Sequence, residues 1–209
     1  MKKLVSILLV AVMVLSFNAV AFAQSEPSDW AVNEVDYDAA RFLKAAMGED
    51  VDYAKSITRE EFAVVALYLY ASASGMELPE MSVENPFTDC NNPLVVTAYG
   101  LGLVKGVSET EFNPDALVTR EQICVMLTRI AQKLIPDLNM DIVKNYLPKL
   151  DTFADGEMVS EWAEDSVKLM VAAGLIKGTD ENKINPLGNC TTQEALIIAK
   201  RALSLEIEY

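Results

Sequence analysis

Two arginines stand directly after threonines, at positions where the pattern predicts the start of a helix. Arg59 follows Thr58, and Arg120 follows Thr119. A cation at the first helical position faces the positive end of the helix macrodipole and should cost roughly a few tenths of a kcal/mol. The placement therefore suggests a use beyond the helix itself. Each guanidinium either pairs with an acid of its own or the next unit, or joins the free N–H groups of the helix start in holding an anion.

The helices that carry these arginines are predicted by three matching start signals. In each signal, a threonine is followed three residues later by Glu or Gln, which is the spacing of a capping box. The three pairs are Thr58 with Glu61, Thr119 with Gln122 and Thr191 with Glu194. The third copy has Thr192 where the other two have arginine. The chain should therefore contain three equivalent closing helices, of which two begin with a cation.

Internal repetition places those helices in a larger unit. The stretch from Gly102 to Gln122 returns at Gly174 to Glu194, with Gly-Leu-aliphatic-Lys-Gly, Asn-Pro and the capping threonine in the same order. A degraded copy ends at Ile57-Thr58-Arg59-Glu60-Glu61. Self-similarity at periods longer than one helix indicates a repeat protein.

Two tryptophans also fall at corresponding positions. Trp30 lies before Thr58 by nearly the same distance as Trp162 lies before Thr191, and each is followed by alanine. Apolar residues at helical spacing from Trp30 to Met47 predict a helix there. The residues alone favour a buried core tryptophan over a ring that stacks on a ligand.

The amino terminus and the charge bound the class of protein. The amino terminus has the three parts of a secretory signal: the basic Lys2 and Lys3, an apolar run, and Ala21-Phe22-Ala23. We therefore expect the chain to be exported and the signal to be removed. The formal net charge is −14, which argues against nucleic acid and anionic membranes as partners. Attraction to an anion would have to be local to a few basic residues.

Several kinds of site are not expected. The chain has no histidine, which removes the usual general base and most zinc sites. The acidic stretch that begins at Asp151 has Phe153 and Trp162 where a calcium loop needs oxygen ligands. We therefore expect no enzyme, no catalytic residue, no metal and no cofactor. Cys90 and Cys190 lie at repeat boundaries and could form a disulfide or remain free.

Together these motifs resemble the S-layer homology domain. The second repeat carries the most complete set of motif residues: Phe87, Asp89, Gly102, Gly106, Phe112, Pro114, Thr119 and Arg120. The resemblance implies an all-α fold in which three helix-loop-helix repeats form a pseudo-threefold spindle with short extended loop segments. The implied organisation is a signal peptide over 1–23, a degenerate first repeat over 24–78, a second repeat over 85–136, an insertion over 137–150 and a third repeat over 151–205.

The resemblance also implies a function at the cell surface. Members of the family bind anionic, often pyruvylated, secondary cell-wall polymer in grooves between repeats, so a peptidoglycan-linked glycan is the expected partner. The residues that would contact polymer are Arg59, Arg120, Asp89, Asp155, Trp30, Trp162, Gly106 and Gly178. Because the third copy lacks the arginine, an alternative is a structural or protein–protein interaction subunit of a surface assembly, with other surface-layer proteins as partners.

Overall fold

Helices account for nearly all regular structure in the computed structural model, which describes residues 25–78, 83–179 and 181–204. In these residues β-structure is limited to isolated bridges. The all-α prediction is therefore confirmed. The segment expected to be a signal peptide lies outside the described residues.

Seven α-helices and three 3₁₀ helices occur in the described part of the chain. The α-helices are α1 (Tyr37–Met47), α2 (Arg59–Ser74), α3 (Pro93–Gly100), α4 (Arg120–Leu134), α5 (Met140–Val143), α6 (Glu164–Ala172) and α7 (Thr192–Leu203). The 3₁₀ helices are Lys144–Tyr146, Gly156–Met158 and Glu161–Ala163.

The closing helices α2, α4 and α7 each begin with the predicted capping box. In α2, the Glu61 amide donates to Thr58 Oγ1 at 3.2 Å, and the Thr58 amide donates to Glu61 Oε2 at 2.8 Å. The same reciprocal pair of bonds occurs at the other two helix starts. The sequence thus defines three helix starts with one local geometry.

A ring of backbone hydrogen bonds joins the residues that precede the three caps. The Ile57 amide donates to the Cys190 carbonyl at 2.9 Å, the Cys190 amide to the Val118 carbonyl at 2.9 Å, and the Val118 amide to the Ile57 carbonyl at 3.2 Å. All three side chains are fully buried. Because the donor and acceptor roles rotate through the three repeats, the ring defines a pseudo-threefold axis.

Helix α1 is shorter than the apolar spacing predicts. It begins at Tyr37 and not near Trp30, because Asp36 caps it by accepting hydrogen bonds from the amides of Asp38 and Ala39. Residues 29–34 form turns, with the Ala31 amide donating to the Ser28 carbonyl at 2.7 Å. Trp30 therefore lies on a turn outside the helix.

Helix α2 lies at the centre of the domain, against α1, α3, α4 and α7. Its residues from Phe62 to Leu67 are all fully buried. A helix that is apolar around its whole circumference must be covered on every side, so the other helices pack around it. The starts of α2, α4 and α7 then meet at one end, where the arginines lie.

Candidate functional site

Arg59 crosses from the first repeat to the second. Its Nε donates to the Phe112 carbonyl at 2.8 Å, and its Nη2 donates to the Lys105 carbonyl at 2.6 Å. The guanidinium carbon lies 4.9 Å from the centre of the Phe112 ring. Burial, and secondly the charge of Arg129, lower the pKa of Arg59. Arginine stays protonated in proteins, so the site holds a half-buried positive charge.

Arg120 makes the corresponding crossing from the second repeat to the third. Its Nε donates to the Ile184 carbonyl at 2.9 Å. Its Nη1, however, lies 2.9 Å from Oε1 of Glu194, at the start of α7. The side chain of Arg120 is 10% exposed and that of Glu194 is 29% exposed. Of the two alternatives for Arg120, the structure therefore contains the ion pair with an acid of the next repeat.

The third crossing uses Thr192 in place of an arginine. Its Oγ1 lies 3.3 Å from the Lys55 carbonyl, which also accepts a hydrogen bond from its amide at 2.9 Å. An ion pair of 2.7 Å between Lys55 and Glu61 occupies this boundary. We call these three residues the Lys55 boundary.

The N–H groups at the helix starts are occupied, so the prediction that they are free to hold an anion is wrong. The amides of Arg59 and Glu60 donate to the carbonyls of Ala116 and Pro114 at 2.8 and 3.0 Å. The next amide, that of Glu61, is taken by the capping threonine. The first two amides of α4 donate in the same way to carbonyls of the third repeat, and those of α7 donate to carbonyls of the first repeat. Any anion must therefore be held by side chains.

Both tryptophans are exposed, which makes the core interpretation wrong for each. Trp30 is 60% exposed and Trp162 is 59% exposed. Trp30 borders a groove of about 400 Å³ that we call the Trp30 groove. Its lining residues are Trp30, Arg120, Gly178, Thr179, Glu194, Ile197, Ile198 and Arg201. The structure thus brings together Trp30, Arg120 and Gly178, three of the residues predicted from sequence.

Trp162 stands at the position equivalent to Trp30, one repeat boundary away. The residue two before each tryptophan is bound by the second residue of a closing helix: Ser160 Oγ donates to Glu121 at 2.9 Å, and the Ser28 amide donates to Gln193 at 2.9 Å. The 3₁₀ helix that carries Trp162 packs on α4. The positions equivalent to the Trp30 groove, which we call the Trp162 surface, are Arg59, Gly106, Gln122, Arg129, Trp162 and Ser166.

Arg129 and Arg201 are functional candidates that the sequence interpretation missed. Arg201 lies seven residues after Glu194, and Arg129 lies seven after Gln122, so both occupy the same helical position. Two turns of helix place them on the same face as the capping acid or amide. This shared spacing could have identified the two arginines, but the sequence interpretation treated it only as part of the helical pattern.

The predicted polymer contacts Asp89 and Asp155 each hold a loop in place. Asp89 accepts from the amides of Phe112 at 2.8 Å and Asn113 at 2.7 Å. Asp155 does the same for the third repeat, at 2.7 and 2.8 Å. The hydrogen bond from the Phe112 amide is the main cause that lowers the pKa of Asp89. These bonds hold in place the loop segments whose carbonyls accept hydrogen bonds from Arg59 and Arg120.

The two glycines of the predicted site are required by the loops themselves. A Cβ on Gly106 would lie 2.4 Å from the Ser108 carbonyl oxygen and 2.8 Å from the Phe87 ring. Gly178 has φ +83°, and a Cβ there would lie 3.0 Å from the Phe153 ring. A side chain at either position would displace the loop from the aromatic ring beneath it.

The three cysteines are free and buried, so the structure contains no Cys90–Cys190 disulfide. Burial raises the pKa of Cys124 to about 12 and also raises that of Cys190. Such thiols are unreactive at neutral pH. Within residues 25–78, 83–179 and 181–204, no group of three or more acidic or thiol side chains is placed to hold a metal ion. In the same residues, no helix has the length and apolar character needed to cross a membrane.

Comparison with known proteins agrees with this geometry. The S-layer homology domain matches residues 95–124 and 152–196. An endoglucanase from a Bacillus species is 27% identical over 143 residues, which is 67% of this chain and 14% of the enzyme. The surface-layer 125 kDa protein of Lysinibacillus sphaericus is 30% identical over 105 residues, covering 49% of this chain and 8% of that protein.

The middle cell wall protein of Brevibacillus brevis is 29% identical over 143 residues, covering 62% of this chain and 13% of that protein. The chain thus spans less than a sixth of the length of each of these relatives. In the endoglucanase, the shared part is a small accessory segment, and the S-layer homology domain is a non-catalytic module.

The matched segments contain the capped starts of α4 and α7 and the loops whose carbonyls accept hydrogen bonds from the arginines. Two of the similar proteins are a surface-layer protein and a cell wall protein. The chain therefore matches the S-layer homology domain over these two segments, and it is an exported protein associated with the cell surface.

Proposed function

We propose that this chain anchors itself non-covalently to the cell wall by binding an anionic, possibly pyruvylated, secondary cell-wall polymer between its repeats. The observation that carries the proposal is the convergence of Trp30, Arg120 and Gly178 on one groove, repeated in sequence at Trp162, Arg59 and Gly106. An exposed tryptophan offers a flat face to a sugar ring. A guanidinium offers a planar pair of donors to a carboxylate or phosphate.

The overall charge supports a local and selective contact. With a formal net charge of −14, the protein as a whole repels polyanions, so binding must rely on the few cations at the repeat boundaries. Those cations are positioned by hydrogen bonds from guanidinium to loop carbonyls, which fixes their direction before any ligand arrives. Side chains that are already held in position lose less conformational entropy on binding, which lowers the entropic cost of binding.

The proposal is tested by sedimentation of the purified protein with wall sacculi, before and after chemical removal of the secondary polymer. We expect binding to intact sacculi and loss of binding to stripped sacculi. The double variant Arg59→Ala and Arg120→Ala should fail to bind intact sacculi. The double variant Lys144→Ala and Lys149→Ala, which removes two exposed cations on the insertion, serves as the charge-matched control and should bind normally.

Retained binding by the folded double arginine variant, or equal binding to stripped sacculi, would reject polymer anchoring. The second candidate function, a protein–protein subunit of a surface assembly, is favoured by one observation: the ion pair between Arg120 and Glu194 already satisfies one of the two crossing arginines. Binding to sacculi only in the presence of another surface-layer protein would support that function.

A further inference from the structure

The two arginine-bearing boundaries differ in their acids. In the Trp30 groove, Arg120 is paired with Glu194 at 2.9 Å, and Arg201 is paired with Glu34 at 2.5 Å. Each guanidinium there has a carboxylate from the same chain. The charge that an incoming anion would meet is therefore largely balanced.

The Trp162 surface has neutral residues where the Trp30 groove has those acids. Gln122 replaces Glu194 at the third position of the closing helix, and Ser166 replaces Glu34 four residues after the tryptophan. No carboxylate of the described residues lies within 4.0 Å of a nitrogen of Arg59 or Arg129. Arg59 and Arg129 occupy the positions equivalent to Arg120 and Arg201, which line one groove, and the charge of Arg129 contributes to lowering the pKa of Arg59.

Two half-buried guanidinium groups near each other, without an acid, are a costly arrangement for a protein to keep. The donors left over also point to a missing partner. Arg59 uses Nε and Nη2 on carbonyls, and the guanidinium of Arg129 has no hydrogen-bond partner among the described residues. An anion between them would relieve the repulsion and use the remaining N–H groups.

We infer that the Trp162 surface is the anion-binding boundary of this chain, that Arg129 is its second cation, and that Gln122 keeps it open. The inference rests on the proposed function, because it assigns polymer binding to one of two boundaries. It predicts one anion site per chain, although two boundaries carry the arginine and the tryptophan. The Trp30 groove is closed to anions by its own acids.

The capping residue offers a matched exchange. Gln122 accepts from the Thr119 amide through its side-chain carbonyl at 3.2 Å, as Glu194 accepts from the Thr191 amide at 2.8 Å. Either residue therefore completes a capping box. Exchanging Gln and Glu changes the charge beside the arginine and leaves the helix start intact.

The experiment is an NMR titration of the full chain with inorganic sulfate, following the arginine Nε–H and tryptophan indole signals. In the native chain, we expect the signals of Arg59, Arg129 and Trp162 to shift, while those of Arg120, Arg201 and Trp30 stay in place. Gln122→Glu should weaken the sulfate response about tenfold, the scale of losing a charged hydrogen bond. Equal responses at both boundaries, or a response only at the Trp30 groove, would overturn the inference.

The reciprocal variant tests the role of the acid. Glu194→Gln should make the Arg120 signal respond to sulfate, and no gain there would overturn the assignment of Glu194 as the closing group. Arg129→Gln should lower the response of Arg59, and an unchanged response would overturn Arg129 as the second cation. Circular dichroism would confirm that each variant remains helical.

The outcomes also separate this inference from the proposed function. If Arg120→Ala abolishes binding to sacculi while Arg59→Ala does not, polymer anchoring stands and the assignment to the Trp162 surface fails. If sulfate binds at Arg59 and Arg129 but neither arginine affects binding to sacculi, the anion site stands and polymer anchoring fails.

Discussion

The Trp162 surface and the Lys55 boundary share a backbone and differ in nearly every side chain that crosses it. At both, the first two amides of a closing helix donate to carbonyls of the following repeat, and a threonine caps the helix. The Trp162 surface adds two arginines that lack acids, whereas the Lys55 boundary has Thr192 and an internal ion pair. The backbone bonds hold the repeats together, and the side chains determine the charge that each boundary presents.

The Trp30 groove lies between these extremes. It keeps the arginines and the tryptophan, but each arginine is paired with an acid. We therefore infer that the same motif residue supports structure at one boundary and binding at another. A motif match alone does not distinguish the two roles, because the deciding group is the partner of the arginine.

The largest expected difference between the boundaries is in stability. Arg120→Ala removes one member of a nearly buried ion pair and should lower the free energy of unfolding by about 2 to 3 kcal/mol. Arg59→Ala removes hydrogen bonds to two carbonyls but leaves no charge unpaired, so it should cost about 1 kcal/mol. Urea denaturation measures both, since urea does not screen charges. A larger loss for Arg59→Ala would contradict the assignment of the structural role to Arg120.

The next effect concerns the exposed rings. Trp162→Ala should weaken binding of polymer released from sacculi by about tenfold, close to 1.4 kcal/mol. Its effect on stability should be small, because the side chain is more than half exposed. Trp30→Ala is the matched control, with an equally exposed ring at the groove that holds its own acids. Calorimetric titration with the released polymer compares the two, and an equal loss for Trp30→Ala would remove the distinction between the boundaries.

A third set of variants tests what the boundaries have in common. Thr58→Ala, Thr119→Ala and Thr191→Ala each remove one capping oxygen and should each lower the free energy of unfolding by about 1 kcal/mol. Thermal and urea unfolding would measure the three losses. Values that differ widely would show that the three helix starts are not energetically equivalent, despite their shared geometry.

The sequence interpretation predicted interactions between residues close in the chain and missed those between residues far apart in it. The starts of the three closing helices were predictable, because each capping pair, such as Thr58 with Glu61, interacts within one turn. The start of α1 was missed although its Asp36 cap is local, because the apolar spacing continues back through the preceding turn, and Ser28 before that turn is bound by Gln193, far along the chain. The tryptophans were assigned to the core because an apolar ring at helical spacing suggests burial, and only the folded chain shows that Trp30 lies on a turn.

The candidate site was predictable in its residues and not in its charge balance. Arg59, Arg120 and the tryptophans stood out by type and position. The ion pairs from Arg120 to Glu194 and from Arg201 to Glu34 join residues 74 and 167 positions apart. No local sequence pattern determines such pairs. The difference in charge balance between the two boundaries is therefore visible only in the folded structure.

The smallest expected effect is a response of the Trp30 groove to acid. The hydrogen bond from Arg201, and then its charge, lower the pKa of Glu34, with smaller contributions from Lys177 and Lys200. Because the pKa is lower in the folded state, the pair stabilises the fold above the unfolded value of about 4.3 and loses that contribution as pH falls through the folded value. Protonation of Glu34 releases Arg201, so sulfate should begin to shift the Arg201 signal in this range.

Sulfate keeps its double charge through this titration, so a change in the probe does not explain a gain. Glu34→Gln removes the acid at neutral pH and should produce the same response there, without exposing the other carboxylates to acid. The signal of Arg129 provides the internal reference, because Ser166 stands in place of Glu34 at that boundary and does not titrate. If Arg201 remained silent in Glu34→Gln, the closure of the Trp30 groove would depend on Glu194 alone.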